Sequence, residues 1–380
     1  MILAKQKNIL ICPLEWGLGH AGRMIPLAVK LREINCSIFF GAGEKHLSFL
    51  KSEMPGCTYI SFPGFRPGYS RFLPQYIVLL LKIPLLIYHI ILEHSQLKRI
   101  IKEYNIDIVI SDNRFGLWNR RIKTIYVTHQ LLIPLPGLFA WLELTGVILH
   151  RLVINRYSLC FIPDLPGDLN VSGRLSHGVG LPRNARFIGI LSRFTGLSSS
   201  ANENPVSFRH NTVILSGPEP QRGILERKLA KILKDKEPPS VILGGNPGKS
   251  AEIIRSGNIL CINHLPAPAM KEVIAGSEGI ITRSGYSTIM ELISLNCSAL
   301  LIPTRGQTEQ EYLALYLSEK GWFTTISQKN IDRGISLPST DPEWNGEIVR
   351  QSKILLERAL KDLSDVDQKE SGTQDTQNKS

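Results

Sequence analysis

Short apolar runs rich in β-branched residues alternate with amphipathic stretches along most of the chain, and this alternation restricts the fold more than any other feature. "NILICPL" (8–14) runs into a glycine turn and a helical pattern at "MIPLAVKLREI" (24–34), and "CSIFFGA" (36–42) precedes a helix beginning near Glu44. "IDIVISD" (106–112) and "KTIYVTH" (123–129) have the length and composition of buried strands. A second series follows: "TVILSG" (212–217), "PSVILGG" (239–245), "NILCIN" (258–263), "GIITRSG" (279–285) and "SALLIPT" (298–304), again separated by helical patterns. Strands that alternate with helices pair in parallel and are covered on both faces. Two such series predict an α/β chain of two Rossmann-like domains, which suits 380 residues. The polar stretch "TGLSSSANENPVS" (Thr195–Ser207) is the natural linker. The expected organisation is therefore an N-terminal domain over 1–195, a linker over 196–207, a C-terminal domain over 208–363 and a disordered tail over 364–380. In that tail Val366 is the only aliphatic residue.

Charge separates the two halves. The chain carries 44 Lys and Arg against 33 Asp and Glu, a net +11. Residues 1–194 hold 23 basic and 11 acidic side chains, or +12, and the remainder 21 and 22, or −1. An excess confined to one half points to an anionic partner on that side, either a membrane surface or a phosphate-bearing substrate. Nucleic acid fits poorly: the basic residues are scattered rather than gathered in a stripe, and no nucleic-acid-binding motif accompanies them. Six cysteines without CxxC spacing exclude a disulfide scaffold and argue against a zinc site. The N-terminus has no charged region ahead of its apolar run and no small-residue cleavage site, so it reads as a first strand and the protein as cytoplasmic.

Two stretches are unusually apolar: Tyr76–Leu92, interrupted by Lys82 and Pro84, and Leu131–Ile154, interrupted by Glu143, His150 and two prolines. A spanning helix needs about 20 nearly uninterrupted apolar residues, which neither supplies. Each reads as a core helix or as an interfacial helix touching lipid. Arg66, Arg71, Lys82, Lys98, Arg99 and Lys102 surround the first with positive charge, as contact with anionic headgroups would require. Peripheral association with the inner face of the plasma membrane is the corresponding expectation.

Three strand ends carry the candidate chemistry. The first runs into "EWGLGHAGRMIPLA", where Gly17 and Gly19 permit a tight turn at a helix N-terminus and His20 stands at the helix mouth. An imidazole there is either a general base or a capping and packing group. "IDIVISD" ends in Asp112, placed to hold the other ring nitrogen of His20 or to close the strand with an Asx turn. His129 and Gln130 occupy the equivalent place one strand along. In the second half a strand runs into Arg283-Ser284-Gly285, and a helix opens near Ser287-Thr288, so amides and hydroxyls converge on one spot suited to a pyrophosphate. Thr288 and Glu291 share a helical face, either as a capping box or with Glu291 free to accept hydrogen bonds from a ribose diol. "RGQTEQEYLA" brings Gln307, Glu309 and Gln310 to the next strand-to-helix crossing, where amides and a carboxylate suit sugar hydroxyls.

The stretch from about Val241 to Leu317 resembles the donor-binding half of the GT-B glycosyltransferases, and among them glycosyltransferase family 28. "RSGYSTIMEL" resembles that family's Arg-x-Gly-x-x-Thr-x-x-Glu signature, "QTEQEYLA" its Gln-rich motif and "GLGHAGRMIP" its N-terminal glycine-rich loop. "LSGPEPQRG" (Leu215–Gly223) stands where the first loop of the second domain belongs, though without the family's Gly-Gly-Ser form. The resemblance implies a GT-B fold with its two domains facing a central cleft, and an inverting transfer from a nucleotide-sugar, usually a UDP-sugar. It implies that the backbone around His264 and Leu265 meets the base, that Glu291 holds the ribose, and that Ser216, Gly217, Ser284, Gly285, Ser287 and Thr288 hold the phosphates. Arg283 would add charge to the leaving diphosphate, and Gln307, Glu309 and Gln310 would read the sugar. The acceptor would enter from the N-terminal domain along Gly17, Gly19, His129 and Gln130, with His20 as base and Asp112 behind it. A lipid-linked or membrane-surface acceptor matches the basic half. The one Asp-x-Asp triplet, Asp365-Val366-Asp367, falls in the tail rather than behind a strand, which fits a displacement without metal or cofactor. A sugar-nucleotide epimerase of the same fold and a non-catalytic nucleotide-sugar binder are the competing readings.

Overall fold

In the computed structural model the described residues are 6–68, 74–197, 205–245, 253–338, 344 and 346–374. The first sheet contains β1 (Asn8–Cys12), β2 (Ser37–Ala42), β3 (Thr58–Ser61), β4 (Ile108–Asp112), β5 (Lys123–Val127), β6 (Leu159–Ile162) and β7 (Ala185–Phe187). Its order is β3-β2-β1-β4-β5-β6-β7, and every pairing is parallel. The second contains β8 (His210–Ile214), β9 (Ser240–Leu243), β10 (Ile253–Ser256), β11 (Ile259–Ile262), β12 (Ser277–Thr282), β13 (Leu300–Leu301) and β14 (Thr324–Thr325). Its order is β10-β11-β9-β8-β12-β13-β14, parallel except for the β10–β11 edge pair.

The unbroken apolar runs are explained by burial on both faces of each sheet. Successive side chains of a strand point to opposite faces. Ile9 and Ile11 of β1 accordingly pack against Met24, Leu27 and Leu31 of helix α1 (Leu18–Glu33), whereas Leu10 and Cys12 pack against Phe62, Leu97 and Ile100 on the other side. The nine strand runs anticipated from sequence all coincide with strands. The strands beyond them have two to four residues each, too short for a period to register.

The remaining helices are α2 (Glu44–Glu53), α3 (Gln75–Leu81), α4 (Ile83–Glu103), α5 (Glu143–Ile154), α6 (Arg174–His177), α7 (Gln221–Leu233), α8 (Ala267–Ala275), α9 (Tyr286–Ser294), α10 (Thr308–Glu319) and α11 (Glu347–Gln374). Helix α11 ties the sheets together. Ile348 packs in the core of the second sheet, and Leu356, Ala359, Leu360 and Leu363 pack in that of the first. The segment expected as one unit over 208–363 thus divides: its last turns bury their apolar stripe against the N-terminal sheet. The helix continues to Gln374, through the start of the expected tail; 375–380, and 198–204 of the expected linker, lie outside the described residues.

The two apolar stretches are not core helices. No residue of α3 is buried, α4 buries only Glu93, Leu97 and Ile100, and α5 only Val147, His150 and Ile154. Leu81, Tyr88, Ile91, Trp141 and Leu144 are each 60–73% exposed. Among the described residues no single helix is long and apolar enough to cross a membrane; α3 and α4 meet at an angle of 66°.

Candidate active site

Both sheets place their chemistry where the strand order reverses. In an open parallel sheet the crevice at such a point lies beyond the carboxyl ends of the strands. In the first sheet that point is β1/β4, which delivers His20 after β1 and Asp112 at the end of β4. In the second it is β8/β12, which delivers Ser216 and Gly217 after β8 and Gly285 to Thr288 after β12. The two points face each other. The mouths of α1 and α9 come so close that a Cβ on Gly19 would lie 3.0 Å from Cβ of Ser287, so glycine permits the approach. Gly217 sits at φ +92°, in the left-handed region that favours glycine.

His20 Nδ1 lies 2.9 Å from Asp112 Oδ2, the pairing anticipated from sequence. Asp112 has a second partner that sequence reasoning missed. Arg23, buried and three residues after His20 on α1, donates through Nε to Oδ2 at 3.1 Å and through Nη2 to Oδ1. Burial raises the Asp112 carboxyl, but Arg23 and His20 outweigh it and hold it at about 2. Arg23 Nη1 also lies 3.1 Å from His129 Nδ1, and His129 Nε2 reaches Glu309 Oε1 at 2.8 Å from the opposite domain. The His129 ring stacks on Tyr286 at 4.0 Å, and the Tyr286 hydroxyl donates to the Pro163 carbonyl at 2.7 Å. Burial lowers His129 against the pull of Glu309. Glu309 is lowered in turn, His129 prevailing over burial.

One arm of the cleft gathers the donor-side residues. Ser216, Gly217, His264, Leu265, Ser287, Thr288 and Glu291 line it together, with Gly17 and Gly19 opposite. The capping box does not form: α9 is capped by Gly285 without a side-chain hydrogen bond, and Glu291 instead pairs with Arg193 at 2.7 Å. Burial pushes the Glu291 carboxyl up despite that pair. His264 Nε2 stands 3.8 Å from Glu53 Oε1 on α2.

Arg283 and Ser284 lie apart from this group. The Arg283 guanidinium, fully buried, donates to the carbonyls of Ile302 (3.1 Å) and Gln221 (3.0 Å) and to Gln328 Oε1 (2.8 Å). Burial lowers it to about 10. It straps β12 to its neighbours and lines neither arm, because the side chain leaves the strand away from the crevice. The Ser284 hydroxyl is likewise turned to the Gln310 carbonyl at 2.8 Å. Gln310 Oε1 accepts from the Thr304 amide at 2.9 Å, while Gln307, Glu309 and Gln310 all border the cleft beside Gly285.

The other arm shares Gly17, Gly19, Ser216, Gly217, Ser287 and Thr288 with the first, passes His20 and turns apolar. His129 and Gln130 line it with Phe65, Tyr76, Leu79, Leu86, Ile90 and Ile133, so it opens toward the exposed faces of α3 and α4. Arg23, Arg193 and Tyr286 are among the residues of the cleft that sequence reasoning passed over. Only Arg23 carries a sequence signal, its i+3 spacing from His20 on a helix. Among the described residues no group of three or more His, Cys, Asp and Glu side chains is arranged to hold a metal ion.

Two facing parallel-sheet domains, with a helix N-terminus and hydroxyls on one side and a His–Asp pair on the other, define the GT-B class. Residues 263–339 match the Glycosyltransferase family 28 C-terminal domain. An uncharacterized glycosyltransferase of Methanosarcina mazei is 24% identical over 366 residues, covering 91% of this chain and 89% of that one. The glycosyltransferase SnogD from Streptomyces nogalater superimposes with a TM-score of 0.55 at 14% identity, over 93% of this chain and 95% of its own. The spinosyn rhamnosyltransferase SpnG complexed with thymidine diphosphate does so at 0.55 and 13%, over 84% and 86%. The chain is a glycosyltransferase of the GT-B fold that carries a family 28 C-terminal domain.

Proposed function

We propose that the protein is an inverting glycosyltransferase that moves a sugar from a nucleoside diphosphate sugar, a UDP-sugar by preference, to a lipid-linked acceptor at an anionic membrane surface. The observation that carries this reading is a cleft of two arms that meet at Gly17, Gly19 and the α9 mouth: one runs to His264 and Glu291, the other passes His20 toward the exposed α3–α4 face. The nucleotide occupies the arm lined by His264, Leu265 and Glu291, with its base at His264 and Leu265 and its ribose at Glu291. The diphosphate meets the amides and hydroxyls from Gly285 to Thr288, where the helix dipole favours negative charge. Thymidine diphosphate in a protein of the same fold is consistent with such a site.

The acceptor hydroxyl approaches from the apolar arm. Asp112 holds Nδ1 of His20, which leaves Nε2 free to take the hydroxyl proton. The acceptor oxygen bonds to the anomeric carbon as the bond to the diphosphate breaks, and the electron pair leaves with the diphosphate. A single displacement inverts the anomeric centre, and the leaving charge is met by the α9 N-terminus, with no metal among the proposed participants. The +12 half, with its exposed apolar helices, supports peripheral attachment to the anionic, cytoplasm-facing leaflet.

The test is incubation with UDP- and TDP-sugars and polyprenyl phosphate or diacylglycerol in phosphatidylglycerol vesicles. Product is read by mass spectrometry and its anomeric configuration by NMR. Glycosylated lipid of inverted configuration supports the reading; nucleotide release indifferent to every lipid acceptor overturns the acceptor class.

A further inference from the structure

Arg23 has a geometry that simple charge balance does not explain. Its guanidinium is buried, lies on the same face of α1 as His20, and contacts two different elements of the first sheet. Nε and Nη2 donate to the two oxygens of Asp112, one of which also holds His20 Nδ1 at 2.9 Å. Nη1 reaches His129 Nδ1 at 3.1 Å. A guanidinium only donates, so the Nδ1 it meets must be a lone pair. His129 is then the neutral Nε2–H tautomer, and its proton points at Glu309 Oε1, 2.8 Å away. Asp112 imposes the reverse on His20, which carries its proton on Nδ1 and presents a bare Nε2 to the cleft.

We propose that Arg23 is a positioning residue for glycosyl transfer, holding His20 and His129 in opposite tautomers so that one accepts the acceptor's proton while the other presents Glu309 to the donor sugar. The inference rests on the assignment of His20 as base. The groups facing His20 are Asp112 from β4, Arg23 from its own helix, His129 after β5, Glu309 from α10 and His46 from α2. With Arg23 in place, both oxygens of the buried carboxylate are held and one of them orients Nδ1 of His20. Removal of the guanidinium leaves Asp112 to His20 alone and takes away the donor that meets Nδ1 of His129.

The experiment compares Arg23→Gln and Arg23→Lys with the unmodified protein, using the pH dependence of kcat/KM and the side-chain nitrogen-15 shifts of the histidines. Arg23→Gln is expected to lower kcat more than tenfold and to raise KM for the nucleotide-sugar, with affinity for the nucleoside diphosphate unchanged. The acid limb of its profile should move to higher pH, because the cation beside the His20–Asp112 pair is gone. Its His129 nitrogens should lose the pattern of a bare Nδ1 and a protonated Nε2. Arg23→Lys, which restores charge without the fork, is expected to return the acid limb toward its original position while kcat stays low. Thermal unfolding checks that each variant is folded, and the lysine variant carries the comparison if the glutamine variant is not. The histidine spectra need no substrate, so they test the tautomers even if every donor fails. Unchanged tautomers together with an unchanged acid limb in a folded Arg23 variant would overturn the proposal.

Discussion

His129 Nε2 and Glu309 Oε1 lie 2.8 Å apart although 180 residues separate them, and their contact joins the end of β5 to the first turn of α10 across the cleft. Glu309 stands among the groups proposed to read the donor sugar, so a bound sugar competes with His129 for the same carboxylate. The cleft is thus closed on itself by the side chains proposed to bind substrate, since Glu291 is similarly engaged by Arg193.

Glu309→Ala is expected to lower kcat/KM for the nucleotide-sugar about 10- to 100-fold, the worth of a hydrogen bond to a charged group. Affinity for the nucleoside diphosphate without its sugar should not change, because Glu309 is proposed to meet the sugar and not the phosphates. Titration calorimetry with UDP and with the UDP-sugar separates the two; equal losses for both would show that Glu309 acts on the nucleotide.

His20→Ala should reduce kcat by about 10² to 10⁴, the usual worth of a general base, and leave donor binding intact. Donor-induced stabilisation in thermal unfolding is the second readout, because bound ligand raises stability by mass action. A variant that keeps its turnover would remove His20 as the base.

Gly19→Ala places a methyl group 3.0 Å from Cβ of Ser287, and overpacking of this kind costs about 1–3 kcal/mol. Adding Ser287→Gly opens the space again, so the double variant should recover most of the lost stability in urea unfolding. Losses that simply add would mean that the two helix mouths do not touch in solution.

His150 makes acid stability predictable. Burial beneath α5, against Phe115 and Tyr126, pushes it from 6.5 down to about 4. Its folded value lies below its unfolded one, so its contribution is complete above pH 6.5 and is lost as the pH falls toward 4, where the unfolded chain binds the extra proton. The loss amounts to about 3 kcal/mol. His150→Leu should flatten the stability profile across that window, as measured by urea unfolding at successive pH values. A profile as steep as that of the unmodified protein would assign the effect elsewhere.

The exposed apolar face yields a prediction about lipid. Sedimentation with phosphatidylglycerol vesicles should be strong at low salt and weaken as salt screens the basic surround. Trp141→Ser and Tyr88→Ser should weaken it further while changing stability by no more than about 0.5 kcal/mol, since both side chains are exposed. Indifference to anionic lipid would end the membrane reading.

Much of the fold was legible because its signals are local. A run such as Ile9–Cys12 is apolar at every position because both faces of β1 are covered, and that pattern is visible without any partner strand. The grouping of Gly285, Ser287 and Thr288 was legible for a similar reason: they are close in the chain and line the cleft together at the α9 mouth. Arg283 shows the limit of this logic. It shares the motif, yet its guanidinium leaves the strand on the far side and binds the Ile302 and Gln221 carbonyls.

The sequence by itself determined two α/β sheets and the strand ends at which His20 and Asp112 stand. Each of these follows from residue period and from the rule that parallel strands present their carboxyl ends to one crevice. Only the tertiary structure decided that Arg23 joins Asp112 to His129, that Glu309 meets His129, and that α3, α4 and α5 turn their apolar residues outward. The bonds across 89 and 106 residues depend on how α1 lies over β4 and β5, and the one across 180 on how two sheets are set against each other, none of which a local pattern encodes. The hydrophobic effect is non-directional, so an apolar stretch reads alike in a sequence whether it faces a core or a bilayer.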